Sequence, residues 1–422
     1  MSMAEYRFTD VFVPGGFPRH TYNPRLELQL EERVGQVRDN LCKLVIVTGH
    51  TKSGKTVLVR NILPREDSIW VDGGAVGEED DFWTTVIDQL SLFQEAEIGQ
   101  EKVVGAEVAA KGTAGANFLI AKGEGEVGGS MSTGRTTTSS NTRSVSSRVI
   151  ALKGLAEARK PLIVDDFHYL PRELQGGIVR ALKPLIFDGL PVVLIAIPHR
   201  RYDALKVERE MTGRILPVEI PSWSPAELAY IPSTGFPLLD SALSDRLTEE
   251  LAANSIGSPH LMQEFCREIC RVRGITTSFN GETADTDAEG TNRVFVETAE
   301  TIGRPIFEKL ARGPRQRSDR IPRQLKNGSE VDIYGLVLHG LAFLKPGLVT
   351  IEYEEMRAAI REVSAQSPPQ LQEVARVLKH MSDIAATDQS STPVIDFDEE
   401  DKLLHVTDPF FAFYLRWGSL NS

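Results

Sequence analysis

The first half of the chain alternates short apolar runs with segments of helical periodicity. The apolar runs predict five strands, at residues 43–48, 68–72, 161–165, 192–197 and 215–220. Helical patterns lie between them, at residues 55–61, 81–95, 149–159, 172–187 and 202–211. Strands that are apolar throughout are buried on both faces, as in parallel sheets covered by helices. The alternation therefore predicts an α/β fold built on a parallel five-stranded sheet.

The second half has a different pattern. Residues 224–310 are helical in periodicity apart from a polar loop at 274–290. Three further helical patterns occupy residues 334–344, 353–364 and 370–384. They precede an expected hairpin, whose strands are residues 394–397 and 403–406. Three helices followed by a two-stranded wing predict a winged-helix domain, and the aromatic stretch 408–417 is expected to pack in its core. We expect three domains: a core at 1–222, a helical lid at 223–312 and the winged helix at 313–422.

One segment of the core, residues 99–147, is not needed by the sheet. Its residues 106–120 alternate with a period of two, and a glycine-rich turn at 123–129 precedes a Ser/Thr-rich return. This pattern predicts a long protruding β-hairpin, with a disordered loop as the alternative. An exposed hairpin with one apolar face would favour pairing with another subunit.

Composition narrows the function. The 422 residues contain 47 Lys and Arg against 59 Asp and Glu, a formal charge of -12, which argues against a nucleic-acid binder that is basic throughout. No apolar run reaches the roughly 18 residues of a membrane span, and Met1–Thr9 lacks the apolar centre of a signal peptide, so we expect a cytoplasmic protein. Three cysteines are too few for a disulfide framework, and Cys266 and Cys270 are expected to pack in a core.

The strongest chemical motif follows the first strand. It matches G-x-x-x-x-G-K-[ST] in full, with Gly49, His50, Thr51, Lys52, Ser53, Gly54, Lys55 and Thr56. Successive backbone N–H groups and the N-terminus of the next helix can face phosphates here. Lys55 would contact the β and γ phosphates, and the Thr56 hydroxyl would help to hold Mg²⁺. The motif predicts binding of ATP with Mg²⁺.

A pair of acids ends the third predicted strand, in Leu162-Ile163-Val164-Asp165-Asp166. Asp165 is a candidate Mg²⁺ ligand, and Asp166 is a candidate to polarise the water that attacks the γ-phosphate. One further strand is predicted between the two motifs, as in the additional-strand class of P-loop ATPases. Together the motifs predict an enzyme that hydrolyses ATP.

With these motifs the chain resembles AAA+ ATPases of the origin-recognition and STAND type, most closely prokaryotic ATPases that join such a core to a winged helix. The resemblance is carried by residues 49–56, by LIVDDFHYL at 162–170 and by Gly257-Ser258-Pro259, which opens a helix. The Asp-Asp pair followed by His168 is similar to the STAND form rather than to the Asp-Glu of most AAA+ proteins. That departure leaves open whether hydrolysis is fast or is a slow timer.

The resemblance implies further nucleotide contacts. Tyr22 and Arg25 lie in a segment similar to the one that packs on adenine, with an ordered N-terminal strap as the alternative. Pro259 opens a lid helix that would approach the nucleotide. His260 stands where a sensor arginine is usual, although it could equally have only a structural role.

Two basic positions are also implied. His199 and Arg200, next to Arg201, follow the fourth strand, where a polar sensor of the γ-phosphate is expected. A solvated charge cluster is the alternative for them. Arg214 precedes the fifth strand and is similar in position to an arginine finger that reaches a neighbouring subunit's nucleotide. A surface arginine at a helix end is the alternative.

The resulting hypothesis is a regulatory ATPase whose nucleotide state reorients the lid and winged helix, controlling self-assembly into a homo-oligomer or binding of another protein. The resemblance hints at prokaryotic defence or signalling. The alternative is an ATP-gated DNA-binding winged helix, since Arg304, Lys309, Arg312, Arg315, Arg317, Arg320, Arg323 and Lys326 form a basic stretch. The acidic wing, with Asp398 and Glu399 among others, favours protein contacts. A P-loop that binds nucleotide only for structure is the third option.

Overall fold

The computed structural model of the chain describes residues 6–39, 41–92, 146–197, 211, 213–277, 281–315, 320–386 and 393–420. The chain divides into two compact units, one formed by Asp80–Ala158 and the other by Met1–Glu79 with Arg159–Ser422. Among the described residues, none of the helices combines the length and the apolar character needed to cross a bilayer.

A five-stranded sheet lies at the centre of the larger unit. Its strands are β1 (Leu44–Gly49), β2 (Ile69–Asp72), β3 (Leu162–Asp165), β4 (Val192–Ala196) and β5 (Ile215–Ile220). The strand order is β2-β3-β4-β1-β5, and every neighbouring pair is parallel. Strand β4 separates β1 from β3, which is the arrangement of the additional-strand class. The predicted α/β fold with a parallel five-stranded sheet is confirmed.

Helices around the sheet supply one wall of its core. The first helices of the larger unit are α1 (Phe8–Val11), α2 (Leu30–Gly35) and α3 (Lys55–Ile62). Leu30 and Val34 of α2 and Leu58 and Val59 of α3 belong to one buried cluster with the inner residues of β1, β4 and β5. Because both faces are covered, all six residues of β1 are buried, which explains its uninterrupted apolar run.

The smaller unit contains two described helices, α4 (Glu79–Gln89) and α5 (Ser147–Ala158). Phe82, Trp83, Val86 and Ile87 of α4 are buried, as are Ala151 and Leu155 of α5. The predicted hairpin at 99–147 lies outside the described residues except for its last two positions. The predicted helix at 202–211 lies outside them as well, except for Met211.

Helix α6 (Arg172–Phe187) completes the helices of the sheet region, and a helical segment follows β5. This segment consists of α7 (Pro225–Gly235), α8 (Asp245–Asn254), α9 (Pro259–Arg273), α10 (Ala288–Ile302) and α11 (Arg304–Arg312). Ser224 caps α7 through a reciprocal pair of bonds with Glu227, and Ser258 caps α9. Cys266 and Cys270 are buried in the core, as predicted. Burial raises the pKa of Cys270 to about 12.

The last hundred residues form a winged helix. Its elements run α12 (Ile333–Phe343), β8 (Thr350–Glu352), α13 (Tyr353–Val363), α14 (Leu371–Ala386), β9 (Ile395–Asp398) and β10 (Leu403–Val406), with β6 (Arg323–Gln324) and β7 (Glu330–Val331) before them. Strands β8, β10 and β9 form an antiparallel sheet in that order. The three helices and the wing match the prediction. The very short strands β6, β7 and β8 were not predicted, because two or three residues carry no readable period.

The chain ends in α15 (Pro409–Trp417), which contains the aromatic stretch. Phe411, Phe413 and Tyr414 are buried, and Phe413 lies 5.1 Å from Phe265 of α9 between ring centroids. The aromatic residues therefore pack in a core, as predicted. That core is shared between the winged helix and the helical segment before it, because one buried cluster includes residues from both.

Candidate nucleotide-binding site

The P-loop, residues 49–56, links the carboxyl end of β1 to the first turn of α3. Gly54 has φ +93° and Lys52 has φ +61°, so the chain reverses through two left-handed residues before the helix begins. This turn directs the N-terminus of α3 toward the loop, where free N–H groups favour an anion. The hydroxyls of Thr51 and Ser53 are buried without a hydrogen-bond partner among the described residues. Buried donors of this kind fit a ligand rich in acceptor oxygens.

Lys55 is held by its own loop. Its Nζ donates to the carbonyl oxygens of Gly49 at 3.0 Å and His50 at 2.9 Å. Burial lowers the pKa of Lys55 to about 8, and the charges of Asp166 and Asp165 oppose that change. Burial, with the charge of Lys55, also lowers the pKa of His50. The lysine is thus a cation with neutral hydrogen-bond partners at the phosphate-binding turn.

The acid pair at the end of β3 faces the P-loop. Thr56 Oγ1 donates to Asp165 Oδ1 at 3.2 Å, and the backbone N–H of Asp166 donates to the same oxygen at 3.0 Å. Burial raises the pKa of Asp165, although both hydrogen bonds oppose the rise. Mg²⁺ prefers oxygen ligands such as a hydroxyl and a carboxylate, so the donor set of Thr56 and Asp165 fits this ion.

Asp166 has a left-handed backbone with φ +48°. Burial, and then the charge of Asp165, raise the pKa of Asp166 to about 6, while Lys55 opposes the rise. A carboxyl group with a pKa near neutral is suited to accept a proton from water. The structure places this group at the wall of the cavity beside the P-loop.

That cavity has a volume of about 460 Å³, which falls within the range of small-molecule sites. Its walls come from four parts of the larger unit. The P-loop contributes residues 51–56, the N-terminal strap contributes residues 15–18 and 21–25, and the lid contributes Pro259, His260 and Gln263 among others. The winged helix contributes Val394 and Asp408. A nucleotide bound here would be within reach of the P-loop, the strap, the lid and the winged helix.

Tyr22 and Arg25, whose segment was predicted to pack on adenine, both line the cavity, but their polar groups are already engaged. The Tyr22 hydroxyl donates to Glu31 at 2.7 Å, and burial raises the pKa of Tyr22. Arg25 forms an ion pair with Glu227 at 2.7 Å and donates to the carbonyl of Pro221 at 3.0 Å. Arg25 therefore holds the linker between β5 and α7 in place. The hydrogen-bonding groups of its guanidinium are occupied by these contacts, so a base could meet only the rest of the Arg25 side chain.

The remaining predicted residues divide into two groups. Pro259 begins α9 and lies at the cavity. His199 and Arg200, with Arg201, are outside the described residues. Arg214 is exposed at the amino end of β5, where its carbonyl accepts from Leu44 at 2.9 Å. This is the edge of the sheet opposite the P-loop, so Arg214 cannot serve the nucleotide of its own chain.

The protein is similar in structure to known ATPases. The Walker-type ATPase PABY2304 of Pyrococcus abyssi shares 17% identity over 92% of this chain and 94% of that chain, with a TM-score of 0.50. The chain has the fold of that Walker-type, P-loop ATPase. The Aeropyrum pernix ORC1 protein, solved in complex with DNA, shares 13% identity over 98% and 97% of the two chains, with a TM-score of 0.46. No protein-family model matches the sequence, and no curated protein matches it.

Sequence reasoning named Ser258 only as part of the turn before α9, and it missed Trp223 and Phe410 as contacts of the P-loop. The Trp223 indole N–H donates to the Ser53 carbonyl at 3.0 Å, across 170 residues of chain. The Ser258 hydroxyl donates to the Lys52 carbonyl at 3.4 Å, across 206 residues. Phe410 of α15 lies under Lys52, whose Nζ is 5.4 Å from the ring centroid. No local pattern could indicate these contacts, because each joins residues that are distant in sequence.

Proposed function

We propose that the protein is a Mg²⁺-dependent regulatory ATPase in which the bound nucleotide controls the position of the lid and winged helix. The P-loop, the Thr56–Asp165 pair and the Asp166 carboxyl supply what ATP hydrolysis needs. The observation that carries the switch is the contact between Lys52 of the P-loop and Phe410 of the winged helix. One residue of the phosphate-binding turn thereby touches the most distant domain of the chain.

The chemistry would follow from groups already in place. The triphosphate would lie along the N–H groups of the P-loop, and the Lys55 ammonium would leave its loop carbonyls for the β and γ phosphates. Thr56 and Asp165 would hold Mg²⁺, which when bound offsets the negative charge of the triphosphate. The Asp166 carboxylate would accept a proton from the attacking water.

The contact with the winged helix has three components. Lys52 lies over the Phe410 ring, and the His260 ring meets the same Phe410 edge-on, with centroids 4.7 Å apart. Asp408 is 7% exposed and caps α15 by accepting from the Phe411 N–H at 2.9 Å. Asp408 also lines the cavity, and burial raises its pKa while the charge of Lys52 opposes the rise. In its ionised form this carboxyl would repel a bound triphosphate more strongly than a diphosphate.

Triphosphate binding would thus act on both sides of this contact. It would draw the Lys52 ammonium toward the phosphates and away from the Phe410 ring. Its negative charge would also repel the Asp408 carboxylate. Both effects favour release of the winged helix in the ATP state. ADP, with less negative charge, would leave the contact in place.

The lid would follow the same event. Trp223 and Ser258 donate to the Ser53 and Lys52 carbonyls, so a shift of the P-loop moves their acceptors. The backbone N–H of Trp223 also donates to Gly257 at 3.2 Å, which joins the linker to the turn before α9. The nucleotide would therefore control the positions of the core, the lid and the winged helix relative to one another.

A released winged helix would expose surface for assembly with a second copy or for another protein. Arg214 supports a second copy as the partner, because it is exposed at the edge of the sheet opposite its own P-loop. Its guanidinium carbon lies 5.2 Å from the ring centroid of Phe187, which is 60% exposed. An arginine so placed could stabilise developing charge only at a neighbour's nucleotide.

The alternative, DNA binding by the winged helix, has less support from the charges. Basic residues of the 304–326 stretch are engaged with acids: Arg304 with Glu308, Arg320 with Asp332, Arg323 with Glu373 and Lys326 with Glu362. Arg312 and Arg315 remain exposed. On α14, Lys379 lies 3.5 Å from Asp383, and the His380 ring bonds with Tyr334 at 2.8 Å. Phosphate contacts would have to break these pairs.

The mass of the protein in solution tests the proposal. With ADP we expect a monomer, and with a non-hydrolysable ATP analogue and Mg²⁺ we expect a higher mass by size-exclusion chromatography with light scattering. A monomer in both states, with no gain in protease sensitivity around residue 410, would contradict the switch. Duplex DNA affinity measured against salt concentration tests the alternative, since a steep negative slope that depends on ATP would favour it.

A further inference from the structure

The tip of β2, residues 72–74, lies against the acid pair of β3. The two strands are parallel neighbours, and Asp72 is the register partner of Asp165. Gly73 is buried at this contact. A Cβ atom placed on Gly73 would lie 2.5 Å from the carbonyl oxygen of Asp166 and 3.1 Å from that of Asp165. Backbone therefore meets backbone here, and a side chain at position 73 requires the backbone of Gly73 or of the acid pair to shift.

Asp166 needs such support, because its left-handed φ of +48° is unfavourable for a residue with a side chain. Its carbonyl oxygen accepts from the Tyr169 N–H at 2.9 Å, on the side that leads into the next turn. Gly73 packs against the same oxygen. The tip itself is fixed by Asp72, whose carboxylate accepts from the Gly74 N–H at 2.9 Å.

We propose that Asp72 and Gly73 are positioning residues, which hold the Asp166 backbone in the conformation that ATP hydrolysis requires. The proposal rests on the proposed function, because it assigns these residues to the reaction at the same site. It assigns Gly73 no contact with the nucleotide. A shift of about 1 Å in a catalytic group can cost roughly 100-fold in rate. A methyl group at position 73 would have to impose a shift approaching that size.

The main test is Gly73→Ala, with Gly74→Ala as the matched control. Gly74 is the next residue, it is exposed, and like Gly73 it lacks a positive φ, so alanine fits its backbone. For Gly73→Ala we expect kcat to fall roughly 10- to 100-fold while KM for ATP and the Kd for ADP stay within about twofold. For Gly74→Ala we expect wild-type values. Equal kcat in Gly73→Ala and wild type would overturn the proposal.

A second background separates positioning from general damage. In Asp166→Asn, we expect Gly73→Ala to cause little further loss of the residual single-turnover rate, because the group that it displaces is no longer catalytic. A full additional loss would show that Gly73 acts elsewhere and would overturn the proposal. If wild type itself shows no turnover, the proposed function fails. If wild type turns over and the glycine variants match it, only this inference fails.

Asp72 gives a test that does not depend on the folding of Gly73→Ala. Asp72 is exposed, so its replacement leaves the core intact. Asp72→Ala removes the bond to Gly74 and should lower kcat several-fold with ADP affinity unchanged. Asp72→Asn can still accept that bond and should restore most of the wild-type rate. Equal rates in wild type and Asp72→Ala would remove Asp72 from the proposal.

Discussion

The cations of the P-loop and those of the 304–326 stretch have different partners. Lys55 donates to two carbonyl oxygens, and Lys52 lies over an aromatic ring. In the other region Arg320 is paired with Asp332 at 2.5 Å and Arg323 with Glu373 at 2.6 Å. The first set bonds directly to neutral groups that an anion can replace, although the charges of Asp165 and Asp166 also act on Lys55. The second set bonds directly to carboxylates.

This difference teaches how to interpret a basic cluster. The sequence shows the positive charges of both regions. Whether a cation can bind phosphate also depends on which existing interaction it would have to break. A carbonyl or a ring is replaced at modest cost, whereas breaking an ion pair leaves a carboxylate near the incoming phosphate. The comparison therefore supports our proposal that the P-loop lysines bind the ligand and that the paired arginines stabilise the winged helix.

The largest expected effect is that of Lys55→Ala. Loss of a charged donor to the phosphates should weaken ATP binding by about 2 to 3 kcal/mol, or roughly 30- to 150-fold, and turnover should fall below detection. Binding of a fluorescent ATP analogue measures the first quantity and phosphate release measures the second. Arg323→Ala is the matched control from the paired region. ATP binding by Lys55→Ala equal to wild type would refute the assignment of the cavity.

Asp166→Asn should separate binding from turnover. The amide cannot accept the proton from water, so we expect kcat to fall roughly 100- to 10,000-fold while ATP affinity stays near that of wild type. Single-turnover hydrolysis together with equilibrium binding gives both numbers. Asp240→Asn, at an exposed aspartate in the lid that also has a left-handed backbone, serves as the control. Retained turnover in Asp166→Asn would remove that residue from the mechanism.

The positions of Lys55 in the P-loop and of Asp166 after β3 could be predicted from sequence for a physical reason. A phosphate-binding turn is made by consecutive residues, and strand β3 is apolar until Asp165 because both of its faces are buried. The wing and its three helices were also predicted from local periodicity. The backbone contact at the β2 tip, residues 72–74, was not predicted, since the need for glycine at position 73 comes from Asp166, which lies far along the chain.

The contacts that join the domains were equally hidden. Phe410 is one of several aromatic residues in a stretch that sequence interprets as core, and its neighbours Phe411 and Phe413 are indeed buried there. Only the folded chain shows that this ring meets Lys52 instead. For Arg25, sequence proposed a contact with the base, and the structure places the guanidinium against Glu227.

A double-variant cycle on Lys52 and Phe410 should give an intermediate effect. Each of Lys52→Ala and Phe410→Leu removes the cation–π contact, so their effects on the free energy of unfolding in ADP should not add. We expect a coupling of about 0.5 to 1 kcal/mol. Phe307→Leu with Lys52→Ala is a control pair, because Phe307 contacts Tyr414 instead. Additive effects for Lys52 and Phe410 would argue against a link between the P-loop and the winged helix.

The smallest expected effect belongs to the paired region and tests the comparison from its other side. Arg323→Ala removes one partner of an ion pair whose side chains are only 17% and 29% exposed, so the free energy of unfolding should fall by about 1 kcal/mol. ATP binding and turnover should not change, because Arg323 pairs with Glu373 in the winged helix rather than with the nucleotide cavity. If Arg323 instead contacts DNA phosphates, its loss would reduce the salt dependence of DNA binding by about one charge. If Arg323→Ala has the same salt dependence of DNA binding as wild type, or if neither wild type nor Arg323→Ala binds DNA, the role of Arg323 is structural.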